Sequence, residues 1–188
     1  MEPTPLLEAR AIGKSFLGIT ALDNVDFTLN RGEIHALLGE NGAGKSTLIK
    51  ILTGVYTRDR GSVMLDGAKI EPGNVAEAQA LGIGTVYQEV NLLENLTVAE
   101  NLFLGRQPRR FGLVDKREMR RKARNLLEGY GLDVDVDALL SSYSVAIRQI
   151  IAIARAVDLS GKVLVLDEPT ASLDSHEVEM VFAVLRRL

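Results

Sequence analysis

The 188-residue sequence contains no cysteine and no tryptophan, and only 5% of its residues are aromatic. Without cysteine, the chain can form no disulfide framework, thiolate metal site or cysteine nucleophile. No apolar run reaches the ~18 residues that a membrane-spanning helix needs. The first residues lack the basic segment and apolar core of a secretory signal. We therefore expect a cytosolic chain that reaches a membrane only by docking onto another protein.

The composition is that of a folded domain, with 46% hydrophobic and 25% charged residues. A formal net charge of −3 gives no global sign of a nucleic-acid partner. Nine basic residues nevertheless cluster between Arg106 and Arg124. We favour a solvated helix face with i,i+4 pairs for this cluster, and nucleic acid or lipid headgroups are the alternatives.

Hydrophobic periodicity predicts an α/β chain interrupted by a helical block. The mostly apolar segment 34–38 is typical of a buried central strand. Strand patterns disappear between 88 and about 160, which indicates a helical insertion. The other predicted strands are 6–11, 21–29, 62–65, 83–87 and 163–166, and the predicted helices are 45–53, 77–81 and 145–157, the last with Ser144 as its N-cap.

An amphipathic helix is predicted at the end of the sequence. Its apolar residues recur with helical spacing at Val178, Val181, Phe182, Leu185 and Leu188. No glycine, asparagine or proline closes this pattern. The pattern therefore predicts that the sequence is cut off within a longer domain.

A glycine-rich segment between a predicted strand and a predicted helix matches the Walker A pattern G-x-x-x-x-G-K-[ST]. Backbone N–H groups of such a loop converge on an anion, and the following helix adds its positive end. Lys45 can reach the β- and γ-phosphates of a nucleotide, and the Ser46 hydroxyl can ligate Mg²⁺. A glycine turn without a ligand is the alternative. The segment comprises Gly39, Glu40, Asn41, Gly42, Ala43, Gly44, Lys45, Ser46 and Thr47.

Two carboxylates follow the apolar strand predicted at 163–166, which is a Walker B pattern. Asp167, at the carboxyl edge of a parallel sheet, is predicted to approach the Mg²⁺ bound by Ser46. Glu168 is then free to orient or deprotonate a water that attacks the γ-phosphate. The alternative is two solvated acids that close a strand.

The sequence DEPTASLD at 167–174 closely resembles the joined Walker B and D-loop of ABC ATPases. The resemblance spans essentially the whole chain. It implies an α/β P-loop NTPase (RecA-like) core with an inserted α-helical subdomain, truncated at the C-terminus. The core and its N-terminal β subdomain would comprise 1–88 and 161–188. The helical subdomain, which carries the signature region, would comprise 89–160.

The same resemblance implies roles for single residues. Glu168 would be the catalytic base, and Asp174 would lie at the interface between two cassettes. Gln88 matches the Q-loop glutamine, which contacts Mg²⁺ or the attacking water, and an ordinary strand-end glutamine is its alternative. Phe16 lies where these ATPases stack an aromatic ring on adenine, and a core phenylalanine is its alternative.

The segment Ser144, Val145, Ala146 and Ile147 stands where the family carries the signature Leu-Ser-Gly-Gly-Gln. Ser144 can still offer a hydroxyl to a γ-phosphate at a helix N-terminus. Ala146 keeps its backbone N–H, but a positive φ costs alanine more free energy than it costs glycine. Ile147 stands where the family has a glutamine, so a polar side chain is lost from this position. In the family, this motif closes on the nucleotide bound by the opposite cassette. We therefore hypothesise that the altered motif weakens the ATP site of that opposite cassette.

The family's switch histidine has no match in this sequence. His35 precedes the glycine-rich segment 39–47, the predicted phosphate loop, and His176 directly follows the D-loop. The switch position is therefore expected beyond Leu188. This predicts a chain that binds ATP but hydrolyses it weakly or not at all.

Segments 52–56, 82–89 and 96–106 resemble the monosaccharide-importer branch, whose longer chains carry two cassettes in tandem. The resemblance implies an ATPase at the cytoplasmic face of the bacterial inner membrane that energises import of galactofuranose or a related monosaccharide. Its partners would be a second cassette, transmembrane permease subunits and, indirectly, a periplasmic sugar-binding protein, with no nucleic acid. The alternative is a soluble ABC ATPase that acts on nucleic acid or the ribosome.

Overall fold

The computed structural model describes residues 5–40, 42–86, 92–170 and 173–188. These residues form two compact units. The first contains the described residues of Met1–Gly84 and Ser160–Val165, and the second contains those of Thr85–Leu159 and Leu166–Leu188. The predicted domain boundaries stay a prediction. Within the described ranges, no helix is long and apolar enough to cross a membrane.

The described elements are strands of two to twelve residues and α-helices of five to sixteen residues. The strands are β1 (Pro5–Phe16), β2 (Ile19–Asn30), β3 (Arg60–Leu65), β4 (Ala68–Ile70), β5 (Ile83–Val86), β6 (Arg109–Arg110), β7 (Leu113–Val114) and β8 (Val163–Leu166). The helices are α1 (Lys45–Leu52), α2 (Val75–Leu81), α3 (Val98–Leu102), α4 (Lys116–Gly129), α5 (Val145–Ser160) and α6 (Ser175–Leu185), and a short 3₁₀ helix spans Leu140–Ser142.

An antiparallel sheet in the order β2-β1-β3-β4 dominates the first unit. The register places Leu7 between Leu29 of β2 and Leu65 of β3. β1 carries a register shift between Ala9 and Ile12, which lets both of these side chains be buried although they are three positions apart. The apolar face of the sheet and the buried face of α1 share one hydrophobic core.

β5 and β8 pair with each other, and their hydrogen bonds show that they are parallel. The N–H of Val163 donates to the carbonyl of Gly82 at 2.9 Å, and the N–H of Asp167 donates to that of Val86 at 3.0 Å. Donor and acceptor both advance by four residues, as a parallel ladder requires. Both predicted strands are confirmed, and their shared direction places Asp167 at a carboxyl end.

The predicted buried strand at 34–38 is wrong for this structure. The segment is irregular, and the side chains of Ile34 and Leu38 are 72% and 87% exposed. An apolar run becomes a strand only where a neighbouring strand satisfies its backbone N–H and C=O groups. Among the described residues, no strand pairs with this segment. The sequence showed that this segment is apolar, but it did not show whether a neighbouring strand pairs with it.

The second unit is mainly helical, as the insertion pattern predicts. Leu102, Leu127 and Ile151, from α3, α4 and α5, meet in one buried cluster. The β6–β7 hairpin was not predicted, because its two-residue strands are too short to show periodicity. In the predicted C-terminal amphipathic helix, Val181 is buried but Phe182 is exposed, so the apolar stripe is narrower than its spacing suggested.

Candidate functional site

The phosphate loop depends on a glycine at the start of α1. Gly44 is the N-cap of the helix, with a φ of 88°. A Cβ at this position would lie 2.6 Å from Cδ2 of Leu22 and 2.7 Å from the carbonyl oxygen of Ala21. Both the left-handed backbone and the close approach to β2 therefore require a residue without a side chain. The predicted helix after the loop is confirmed, and it begins at Lys45.

The first turn of α1 offers hydrogen-bond donors. Its N-cap, Gly44, has no side chain to cap the N–H groups, and Ser46 lies exposed within this turn. The Nζ of Lys45 donates to the carbonyl oxygens of Gly39 and Glu40 at 2.6 and 2.8 Å, which folds the ammonium group back over the loop. Amide donors, the positive end of the helix dipole and an ammonium group thus occur within one short segment. This combination suits a phosphate.

Phe16 lies at the end of β1, where the chain turns into β2. Phe16 is exposed, and its ring makes an edge contact with Tyr56, with the centroids 5.1 Å apart. The Nζ of Lys14 lies 5.4 Å from the Phe16 centroid. Lys14 pairs with Leu22 across the hairpin, and Leu22 is the residue that Gly44 approaches. Lys14 of β1 and the glycine at the start of α1 therefore both lie against Leu22 of β2.

Asp59 holds this end of the sheet together and was not identified from the sequence. Its carboxylate accepts hydrogen bonds from the Nζ of Lys14 at 2.7 Å and from the N–H of Ser15 at 2.8 Å. The hydrogen bond from Lys14 and that from the Ser15 backbone lower the pKa of Asp59 below its ordinary 3.8. An isolated acid in a loop gives no sequence signal for such a role.

Replacing Asp59 with asparagine should change how stability depends on pH. A carboxyl whose folded pKa is lowered stabilises the fold above its ordinary pKa, and this contribution disappears as the pH falls through the folded value. The wild type should exceed Asp59→Asn in unfolding free energy at about pH 6 and lose that advantage towards about pH 2.5. Urea unfolding across this range measures the difference. Lys14→Met should reproduce part of the change, and parallel curves for all three proteins would contradict the assignment.

The Walker B residues belong to the second unit. Asp167 follows β8 and is half-buried, and Glu168 is exposed with a φ of 46°. A glutamate in the left-handed region is strained, and such strain concentrates at functional sites. The structure thus directs attention to Glu168 independently of the motif. The roles predicted for both carboxylates stay predictions.

Asp174, predicted at an interface between cassettes, has a local role in this structure. It is the N-cap of α6, and its Oδ1 accepts a hydrogen bond from the N–H of Glu177 at 2.8 Å. The carboxylate of Glu177 accepts in return from the N–H of Asp174 at 3.3 Å, which completes a capping box. This cap occupies one carboxylate oxygen of Asp174. The predicted interface role stays untested.

The signature segment begins α5. The Oγ of Ser144 accepts from the N–H of Ile147 at 3.5 Å, a long N-cap contact, and Val145 is exposed. Ala146 lies inside the helix, is buried, and is absent from the residues with positive φ. Its methyl group therefore brings no backbone strain here. Arg148, which the sequence analysis did not identify, donates from Nε to the carbonyl of Tyr143 at 2.9 Å and holds the segment in place.

The predicted site residues that the structure describes are divided between the two units, and two further site residues lie outside the described ranges. The first unit contains Phe16 and the phosphate loop, and the second contains the Walker B, D-loop and signature residues. Asn41 and Gln88 lie outside the described residues. In the described part of the chain, no group of three or more His, Cys, Asp or Glu side chains converges to hold a metal ion. The predicted Mg²⁺ ligands are instead a hydroxyl, an amide and one carboxylate.

Comparison with curated proteins shows close relatives. The chain is 61% identical, over 97% of its length, to the galactofuranose transporter ATP-binding protein YtfR of Escherichia coli K12. It is 56% identical, over 98% of its length, to the ribose import ATP-binding protein RbsA 1 of Rubrobacter xylanophilus. It covers 37% of each relative, a little more than a third of their length.

Solved structures show the same fold. The ADP conformation of MJ1267, an ATP-binding cassette of an ABC transporter, matches with a TM-score of 0.84 at 28% identity, over 97% of this chain and 76% of that one. CbiO1 of Clostridium perfringens, part of the ABC transporter complex cbiONQ, matches with a TM-score of 0.81 at 27% identity, over 97% and 72%. These matches confirm the predicted α/β P-loop NTPase fold. A profile described as ABC transporter covers residues 22–171, and the chain belongs to the ABC transporter family.

Proposed function

We propose that the chain binds ATP through the phosphate loop and Phe16 and contributes to its hydrolysis. The first turn of α1 supports this proposal most directly, because its N–H groups, which Gly44 has no side chain to cap, and Lys45 would form a donor set for the β- and γ-phosphates. Phe16 has an exposed ring beside the cationic Lys14, which suits stacking on adenine. Glu168 would orient or deprotonate the attacking water.

The phosphate loop also fits a divalent cation bound with the nucleotide. We propose that Ser46, Asp167 and Gln88 supply its protein ligands, which are the oxygen donors that Mg²⁺ prefers. Mg²⁺, when bound, would neutralise charge on the phosphate oxygens. Exposure of Ser46 in the first turn of α1 leaves its hydroxyl accessible for this role.

The relatives suggest how the nucleotide chemistry is used. We propose that the protein energises monosaccharide import, with galactofuranose as the leading cargo because of the 61% identity to YtfR. A second cassette would complete the catalytic unit, and permease subunits would hold it at the cytoplasmic face of the inner membrane. The relatives named for ribose import make ribose the next cargo to test.

Calorimetric titration of Mg-ATP into the chain tests the nucleotide proposal. Lys45→Ala removes an ammonium group that would bind phosphate oxygens, and it should weaken ATP binding roughly 10- to 100-fold. Lys69→Ala is the matched control, since Lys69 is an exposed lysine on β4 of the same unit. Equal affinity in wild type and Lys45→Ala would overturn the phosphate assignment. Phosphate release measured in the same samples reports whether the chain alone turns ATP over.

A further inference from the structure

The β6–β7 hairpin presents apolar side chains to solvent. The N–H of Asp115 donates to the carbonyl of Pro108 at 2.8 Å and closes the base of the hairpin. Phe111 and Leu113 are 93% and 76% exposed, and Val114 is also exposed. The two strands pair through Arg109 with Val114 and Arg110 with Leu113.

The turn of the hairpin contains a phenylalanine, Phe111, whose backbone conformation and exposure do not help the chain to fold. Phe111 and Gly112 have φ values of 52° and 81°, so both central residues of the turn are left-handed. Asparagine, aspartate and glycine suit the first of these positions, and a phenylalanine there is strained. Among the described residues, its ring contact is with the guanidinium of Arg110, 5.4 Å away. A strained and exposed aromatic ring indicates a binding partner outside the chain.

Unpaired cations surround this apolar tip. Of the nine basic residues between 106 and 124, five form ion pairs. The other four, Arg109, Arg110, Lys116 and Arg117, are exposed and have no ion pair among the described residues. The five pairs are Arg106 with Asp158, Arg120 and Arg124 with Asp137, and Arg121 and Lys122 with Glu118.

The free cations and the apolar tip are contiguous. Strand β7 ends at Val114, and only Asp115 separates it from α4, whose first two residues are Lys116 and Arg117. Arg110 and Arg117 line one open groove of about 670 Å³ along α4. We call the hairpin 109–114 together with Lys116 and Arg117 the tip patch.

We propose that the tip patch contacts the surface of an anionic phospholipid bilayer. Phe111, Leu113 and Val114 enter the headgroup region, and the four free cations bind lipid phosphates. Aromatic and aliphatic side chains beside arginine and lysine are the combination that interfacial membrane contacts use. The tight turn presents the apolar groups already ordered, which lowers the entropic cost of insertion. This inference is independent of nucleotide binding.

The groups of the tip patch fit a lipid bilayer better than they fit a nucleic acid or a second copy of the chain. Single-stranded nucleic acid would use the cations and the aromatic ring, but Leu113 and Val114 add nothing to base stacking. A second copy of the chain carries the same unpaired cations, so a symmetric contact through the tip patch would bring like charges together. An anionic lipid surface accepts the cationic, aromatic and aliphatic groups at once.

Co-sedimentation of the chain with vesicles, without nucleotide, tests the proposal. The chain should bind phosphatidylcholine vesicles that contain roughly 30% phosphatidylglycerol, and binding should fade in about 1 M salt. Arg109→Gln with Arg110→Gln should lower the partition coefficient roughly 30-fold, because each cation near an anionic surface contributes about fivefold. Phe111→Ser should lower it roughly tenfold.

The matched control is Lys69→Gln with Arg186→Gln, two exposed cations outside the patch that change the net charge equally. This control should retain wild-type partitioning within about twofold, and urea unfolding would verify that every variant is folded. Three results would overturn the proposal: no preference for anionic vesicles, equal losses in control and patch variants, or patch-dependent binding to a single-stranded oligonucleotide without vesicle binding. Calorimetry with Mg-ATP distinguishes these outcomes from failure of the nucleotide site.

Discussion

Gly44→Ala is expected to lower the unfolding free energy by about 3 kcal/mol, through a left-handed backbone and a steric overlap. The φ of 88° disfavours any residue with a Cβ. The added methyl group would also lie 2.7 Å from the carbonyl oxygen of Ala21, which belongs to β2 and cannot rotate away as a side chain could. Either α1 or β2 must move, and the phosphate loop lies between them. Urea unfolding followed by circular dichroism measures the loss.

Gly18→Ala provides the control for the backbone contribution. Gly18 lies in the turn between β1 and β2 with a φ of 84°, and nothing lies within 4 Å of a Cβ built there. This substitution should therefore cost only about 1 kcal/mol, the conformational part of the penalty. Equal losses at positions 18 and 44 would show that the contact between the loop and β2 contributes nothing. A much larger loss at position 44 would establish that contact.

Asn101→Leu should lower the unfolding free energy by about 3 kcal/mol or more, because one buried amide satisfies several backbone groups. Asn101 is 0% exposed on α3. Its Oδ1 accepts from the N–H of Leu93 at 2.7 Å, and its Nδ2 donates to the carbonyls of Leu93 and Thr97 at 2.9 and 3.0 Å. Leucine has a similar volume but would leave the Leu93 groups without this partner. The amide therefore fixes the segment before α3.

The control for Asn101 is Asn125→Leu on α4. Asn125 is exposed, so the same chemical change should alter the unfolding free energy by no more than about 0.5 kcal/mol. Urea unfolding of both variants measures the contrast. A loss at Asn101 as small as that at Asn125 would mean that water replaces the amide and that the segment before α3 is not anchored through it.

Most of the regular structure could be predicted from local pattern. The helix after the phosphate loop, the strand at 163–166 and the helix after Ser144 all appear where periodicity placed them. These features depend on neighbours within a few residues, as helix spacing, strand alternation and caps do. The Walker A segment was identified for the same reason, since its glycines and Lys45 act through one continuous loop and the following turn.

By itself, the sequence predicted the α/β class and located the Walker A segment and the two carboxylates after β8, because local patterns of neighbouring residues carry these signals. Only the tertiary structure decided that 34–38 has no pairing strand among the described residues, that Gly44 abuts β2, and that Asp59 binds Lys14 from 45 positions away. It also decided which cations of the basic cluster have acidic partners. Such outcomes depend on contacts between residues distant in the chain, and local spacing does not specify those contacts.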